Sequence, residues 1–92
     1  MACKPLVLGF DTAAAHCAAA LLFGDRIVAV RSEDMTRGQA ERLMPLLQEL
    51  LVSQGVAWRD LSRIGVGIGP GNFTGIRVSV SLARGLALGL GI

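Results

Sequence analysis

The sequence predicts an α/β domain of order βββαβα, a mixed sheet with its helices packed on it. Three observations predict it. Three short apolar runs open the chain, and the last two are separated by Gly24-Asp25, a two-residue hairpin signal. A longer stretch then carries leucines at helical spacing. A fourth apolar run leads through a glycine-rich turn into a second helical stretch.

Leu6–Phe10 is apolar and ends at Asp11-Thr12, which reads as a buried strand running into a turn. Ala18–Phe23 is the second strand. Ile27–Val30 is the third, and Arg26 and Arg31 at its ends place those ends near water. Residues 32–38, SEDMTRG, are polar and read as a loop. Gln39–Gln54 is helical, with Leu43, Leu47, Leu50 and Leu51 on one side and Gly55 as the residue that closes it. Ser62-Arg63 leads into a fourth strand over Ile64–Ile68, expected to pair in parallel after the helical crossover. The second helix is expected from about Gly75 to Leu88, with Thr74 as its N-cap. This element order is that of the first half of a ribonuclease H-like or actin-like ATPase domain. On that reading residues 1–92 are an N-terminal half-domain that stops before its next strand, and the second domain is absent.

Composition excludes several classes. The chain is 52% hydrophobic and 17% charged, which argues against disorder. A net charge of +2 is too weak to imply nucleic-acid binding, and with no Tyr, one Trp and three Phe there is no aromatic platform for bases. Cys3 and Cys17 fall near opposite ends of the first hairpin, too far apart to bridge, so free thiols in a reducing cytoplasm are expected. The apolar run before Asp11 is too short for a signal-peptide core, and Pro70, Arg77 and Arg84 interrupt residues 64–92, so no membrane span is expected.

Residues 67–85, GIGPGNFTGIRVSVSLARG, admit three readings. A phosphate loop fails on spacing, because no lysine follows Gly75 and no G-x-G-x-x-G register fits. A reactive loop lacks Cys, His and carboxylate, leaving Thr74 with no base nearby. A structural turn fits: glycines at 69, 71 and 75 for close backbone approach, and Pro70 to fix φ. Arg77, a cation in the first helical turn, opposes the helix dipole and calls for an acidic partner or an anionic ligand.

The string Gly69-Pro70-Gly71-Asn72-Phe73-Thr74-Gly75-Ile76-Arg77 resembles the G-P-G-S-F-T-G-[LVI]-R signature of the bacterial TsaB family, formerly YeaZ. Asn72 stands where serine is commoner. Phe10-Asp-Thr-Ala13 resembles the family's L-D-T-[AS], and Glu41-Arg-Leu-Met-Pro45 its E-R-L-[LM]-P helix. GLALGLGI, residues 85–92, is similar to the run that follows. Gln39 replaces a histidine that many members carry.

The resemblance implies an actin-like subunit that has lost its catalytic apparatus. Such a subunit serves the complex that places threonylcarbamoyl on the adenosine beside the anticodon of ANN-decoding tRNAs. It pairs with the catalytic paralogue TsaD and is joined by the ATPase TsaE; alone it forms a homodimer, and it meets tRNA only through the complex. The residues agree that no catalytic group, cofactor or metal is expected. His16 is the single histidine, short of a zinc ligand set, and Ala13-Ala-Ala15 put methyls where an actin-like phosphate turn needs glycine. Asp11 is expected to cap its own turn. An ATP-using actin-like enzyme and a metallopeptidase of the older glycoprotease label are the alternatives.

A partner surface is expected on the two helices. On a helical wheel the apolar arc of the first spans about 160°, wider than one sheet face needs. Leu43, Met44, Leu47, Leu50 and Leu51 are the candidate contacts there. On the second helix Gly75, Ser79, Ala83 and Ala87 form a small-residue groove, with Val80 and Leu86 bordering it. That groove is open to the domain's own sheet or to another helix.

Overall fold

The computed structural model describes residues 5–13, 15–67 and 73–92, with side chains of the last segment from Arg77 onward. Its elements are β1 (Leu6–Asp11), β2 (His16–Phe23), β3 (Arg26–Asp34), α1 (Gln39–Ser53), a 3-10 turn over Trp58–Asp60, β4 (Arg63–Val66) and α2 (Phe73–Leu90). The sheet runs β3-β2-β1-β4, antiparallel except for the parallel β1–β4 pair. This is the expected mixed sheet.

Alternation decides the core. Leu8 pairs with Leu21 and with Ile64, and Phe10 with Ala19 and with Val66, so these residues share one face. Both helices pack on that face, α1 over β2 and β3, α2 over β4 and β1. Leu43, Leu46, Leu47, Leu50 and Leu51 close over it, each no more than 1% exposed. The leucines of the wide apolar arc are spent on this chain's own core, while Ala40 and Met44 at its edge stay exposed.

Two turns carry the expected chemistry. Gly24 has φ 67° in the β2–β3 turn. At the end of α1, Gly55 also has φ 67°; its amide donates to Val52 O at 3.1 Å and the Val56 amide to Leu51 O at 3.0 Å. That pair of bonds satisfies two terminal carbonyls, and Val56 packs on the core beside them.

Strand β3 runs through the polar SED segment that reads as loop, because residues Arg31 to Asp34 pair with Ala19 to His16. A second cause is Arg42 on α1. Its Nε and Nη2 donate to the two Glu33 oxygens at 2.8 and 2.6 Å, and its Nη1 and Nη2 to the two Glu49 oxygens at 2.7 and 3.1 Å. These bonds hold both carboxyls below their usual range and push the guanidinium further up. The ladder is not regular throughout. Leu21 faces Ala29 but Leu22 faces Ile27, so Val28 is a bulge residue.

Helix α2 begins at Phe73, so Thr74 lies within its first turn and is not the N-cap.

Candidate functional site

The first candidate region is where β1 and β4 end. Asp11 Oδ1 accepts the Ala13 amide at 2.7 Å, the capping role its position predicts. His16 opens β2 with Nε2 3.8 Å from Asp11 Oδ2. The Gly67 amide donates to Phe10 O at 3.0 Å, and a Cβ on Gly67 would lie 2.7 Å from Asp11 Cγ. A side chain at 67 would therefore have to push that carboxylate aside.

Behind this turn lies a buried polar pair. The Thr12 amide donates to Ser79 Oγ at 3.1 Å, and the two hydroxyls are 2.6 Å apart with both residues fully buried. The small residue at 79 thus seats α2 on the end of β1. Of the two openings that the small-residue groove allowed, the domain's own sheet takes it at Ser79, and Ala83 packs on the core.

Gly69, Pro70, Gly71 and Asn72 lie outside the described residues, and Phe73, Thr74 and Gly75 are described only as the first turn of α2. Cys17 is a buried free thiol, pushed above its ordinary value by burial and then by the Glu33 charge. Among the described residues no three His, Cys, Asp or Glu side chains gather to hold a metal ion. No helix among them is long and apolar enough to cross a membrane.

The second region is the α1–α2 face, and here one expectation needs correcting. Leu43, Leu47, Leu50, Leu51 and Ser79 are sealed into this chain's own interior and present no contact area to a partner. Met44 is 40% exposed, while Val80, Ala83 and Leu86 are half-buried. A cleft of about 560 Å³ opens between the helices, with Ala40, Met44, Arg77 and Ser81 at its exposed rim and Val78 and Leu82 deeper. Further along α2, Gly85 and Gly89 are exposed and a Cβ on either would meet nothing within 4 Å. With Ser81 they continue a strip of small residues one turn apart, on the outer side of the helix from Ser79. The wheel places Leu43, Leu47, Leu50 and Leu51 on an open face, whereas they lie on the side of α1 that is buried in this chain's own core.

Comparison with known proteins bears on this arrangement. The family model described as "TsaD: tRNA N6-adenosine threonylcarbamoyltransferase" matches residues 28–92. The tRNA threonylcarbamoyladenosine biosynthesis protein TsaB of Escherichia coli (strain K12) is 37% identical over 83 residues, 90% of this chain and 36% of that protein. Its counterpart in Bacillus subtilis (strain 168) is 37% identical over 86 residues, 94% of this chain and 38% of that protein. The solved structure of YeaZ from Pseudomonas aeruginosa superposes with a TM-score of 0.88 at 37% identity, covering 95% of this chain and 40% of that one. The chain thus spans about two fifths of the relatives it matches.

The fold is that of an actin-like, ribonuclease H-like half-domain. Within that class the chain belongs to the TsaD-like threonylcarbamoyltransferase family, in its TsaB, or YeaZ, branch.

Proposed function

We propose that this chain is the N-terminal part of a non-catalytic TsaB-type subunit. It works in the cytoplasmic assembly that installs threonylcarbamoyl on the adenosine beside the anticodon of ANN-decoding tRNAs. It docks on the catalytic paralogue TsaD through the α1–α2 face, pairs with its own copy when alone, works alongside the ATPase TsaE, and meets tRNA through the complex.

The observation that carries this reading is the open strip on α2. Glycine inside a helix is less favourable than alanine by about 1 kcal/mol, and neither Gly85 nor Gly89 has a positive φ or a close neighbour to require it. An approaching helix backbone supplies such a requirement. Met44 and Leu88, 40% and 85% exposed, provide apolar area beside the strip.

The non-catalytic reading has separate support. Asp11, the acid at the end of the first strand, is committed to its own turn. The residues that follow carry methyls where a phosphate would need glycine.

The test is co-purification of the full-length protein with its TsaD and TsaE counterparts. Wild type is expected to carry TsaD through gel filtration. Met44→Glu and Gly85→Leu are expected to lose it while melting like wild type. TsaD retained by both variants, or tight ATP binding by this chain alone in calorimetry, overturns the reading.

A further inference from the structure

We infer that Arg42 is a positioning residue. By clamping one flank of α1 to β3 it fixes the rotation of that helix, and so sets where the opposite flank meets a partner. The inference rests on the docking role proposed for the α1–α2 face, but its geometric half can be tested without any partner.

The argument begins with the circumference of α1. At about 100° per residue, Arg42 and Glu49 lie within ~20° of one another, and Ala40 and Met44 lie ~160–200° away. The buried leucines fill the arc between these two flanks. A stripe of leucines resists removal from the sheet but resists a small roll poorly, because such packing is non-directional. Hydrogen bonds are directional, and Arg42 makes four. Two go to Glu33 on β3, across to the sheet. The other two go to Glu49, one heptad along the same flank, and Arg31 of β3 stands 3.8 Å from that carboxylate. The helix is thereby tied to the strand at two heights.

Isolated ion pairs on a surface contribute little; a forked guanidinium shared by two carboxylates is the exception. The flank it leaves free carries Ala40 and Met44 at the rim of the cleft shared with Arg77 and Ser81. A roll of α1 would move that rim relative to α2. Loss of the clamp should therefore show in docking geometry as well as in stability.

The geometric test uses spin labels at Ala40→Cys and Ser81→Cys in a Cys3→Ser background, with the inter-label distance distribution read by pulsed electron resonance. Arg42→Met is expected to shift and broaden the distribution while far-ultraviolet helicity holds. Arg42→Lys is expected not to restore it, because an ammonium cannot fork between two carboxylates. Glu49→Gln, which keeps both Glu33 bonds, should give a smaller change of the same kind. The docking test is sedimentation of full-length protein, with and without its TsaD counterpart, where Arg42→Met should weaken association about tenfold. An unchanged distance distribution in Arg42→Met, or full restoration by lysine, overturns the inference. Altered distances with no association in wild type would instead sink the docking role and leave the clamp standing.

Discussion

Ser79 and Thr12, sixty-seven residues apart in sequence, share a fully buried pair of contacts that joins the second turn of α2 to the residue after β1. Ser79→Ala removes the acceptor of the Thr12 amide inside the core. A loss of about 1–3 kcal/mol is expected, read as a fall in melting temperature of roughly 4–8 °C per kcal/mol. A melt within a degree of wild type would show that α2 is seated by its apolar residues alone.

Gly67 and Asp11 test the strand-end turn. A methyl at 67 would collide with the Asp11 carboxylate, so Gly67→Ala should destabilise by about 1–3 kcal/mol. Asp11→Ala loses the Ala13 bond but clears the space. The double variant should therefore be more stable than the sum of the two losses predicts, and urea denaturation of all four proteins measures the difference. Strict additivity would contradict the contact.

Acid should weaken the Arg42 clamp. Glu33 and Glu49 are held below their ordinary value of 4.5 by hydrogen bonds from Arg42. Their contribution is complete above that value and disappears as pH falls through the lowered ones, because the unfolded chain takes up these protons earlier. The melting temperature is expected to fall as pH drops below about 4.5, and Glu33→Gln with Glu49→Gln should flatten that slope. Calorimetric scans across this window decide it.

Two neighbours on α1 should part company. Leu47 is fully buried, and Leu47→Ala is expected to cost about 2–5 kcal/mol. Leu47→Glu would bury an unpaired charge and is expected to leave no folded chain, with circular dichroism as the readout. Met44→Glu sits at the cleft rim and should change stability by no more than about 0.5 kcal/mol. A folded Leu47→Glu monomer would place that leucine back on the surface.

The fold was legible because its signals are local. Gly24 and Gly55 mark turns that need positive φ, and leucine spacing marks α1. The limits of β3 were not legible: its RSED end is polar, and what makes it strand is pairing with β2 and the reach of Arg42, both set by tertiary position. The start of α2 was misjudged for a related reason. Thr74 has the chemistry of a cap, but the helix already begins at Phe73. At the candidate site the wheel found an apolar arc without knowing the width of the sheet beneath it. Leu47 and Met44 therefore looked equivalent, though only Met44 remains outside. The Ser79–Thr12 contact had a trace in the sequence, a small polar residue among small apolar ones, but no partner could be named from it.

The bulge in β3 has a consequence for the concentrated protein. With Val28 unmatched, the outward amides and carbonyls on either side of it fall out of phase. A foreign ribbon laid along this border can align with one half of it at a time. Ile27, Val28 and Val30, greasy as they are, thus sit on a margin that resists templating stacks of itself, and clumping through that margin should begin only after the irregularity is ironed out.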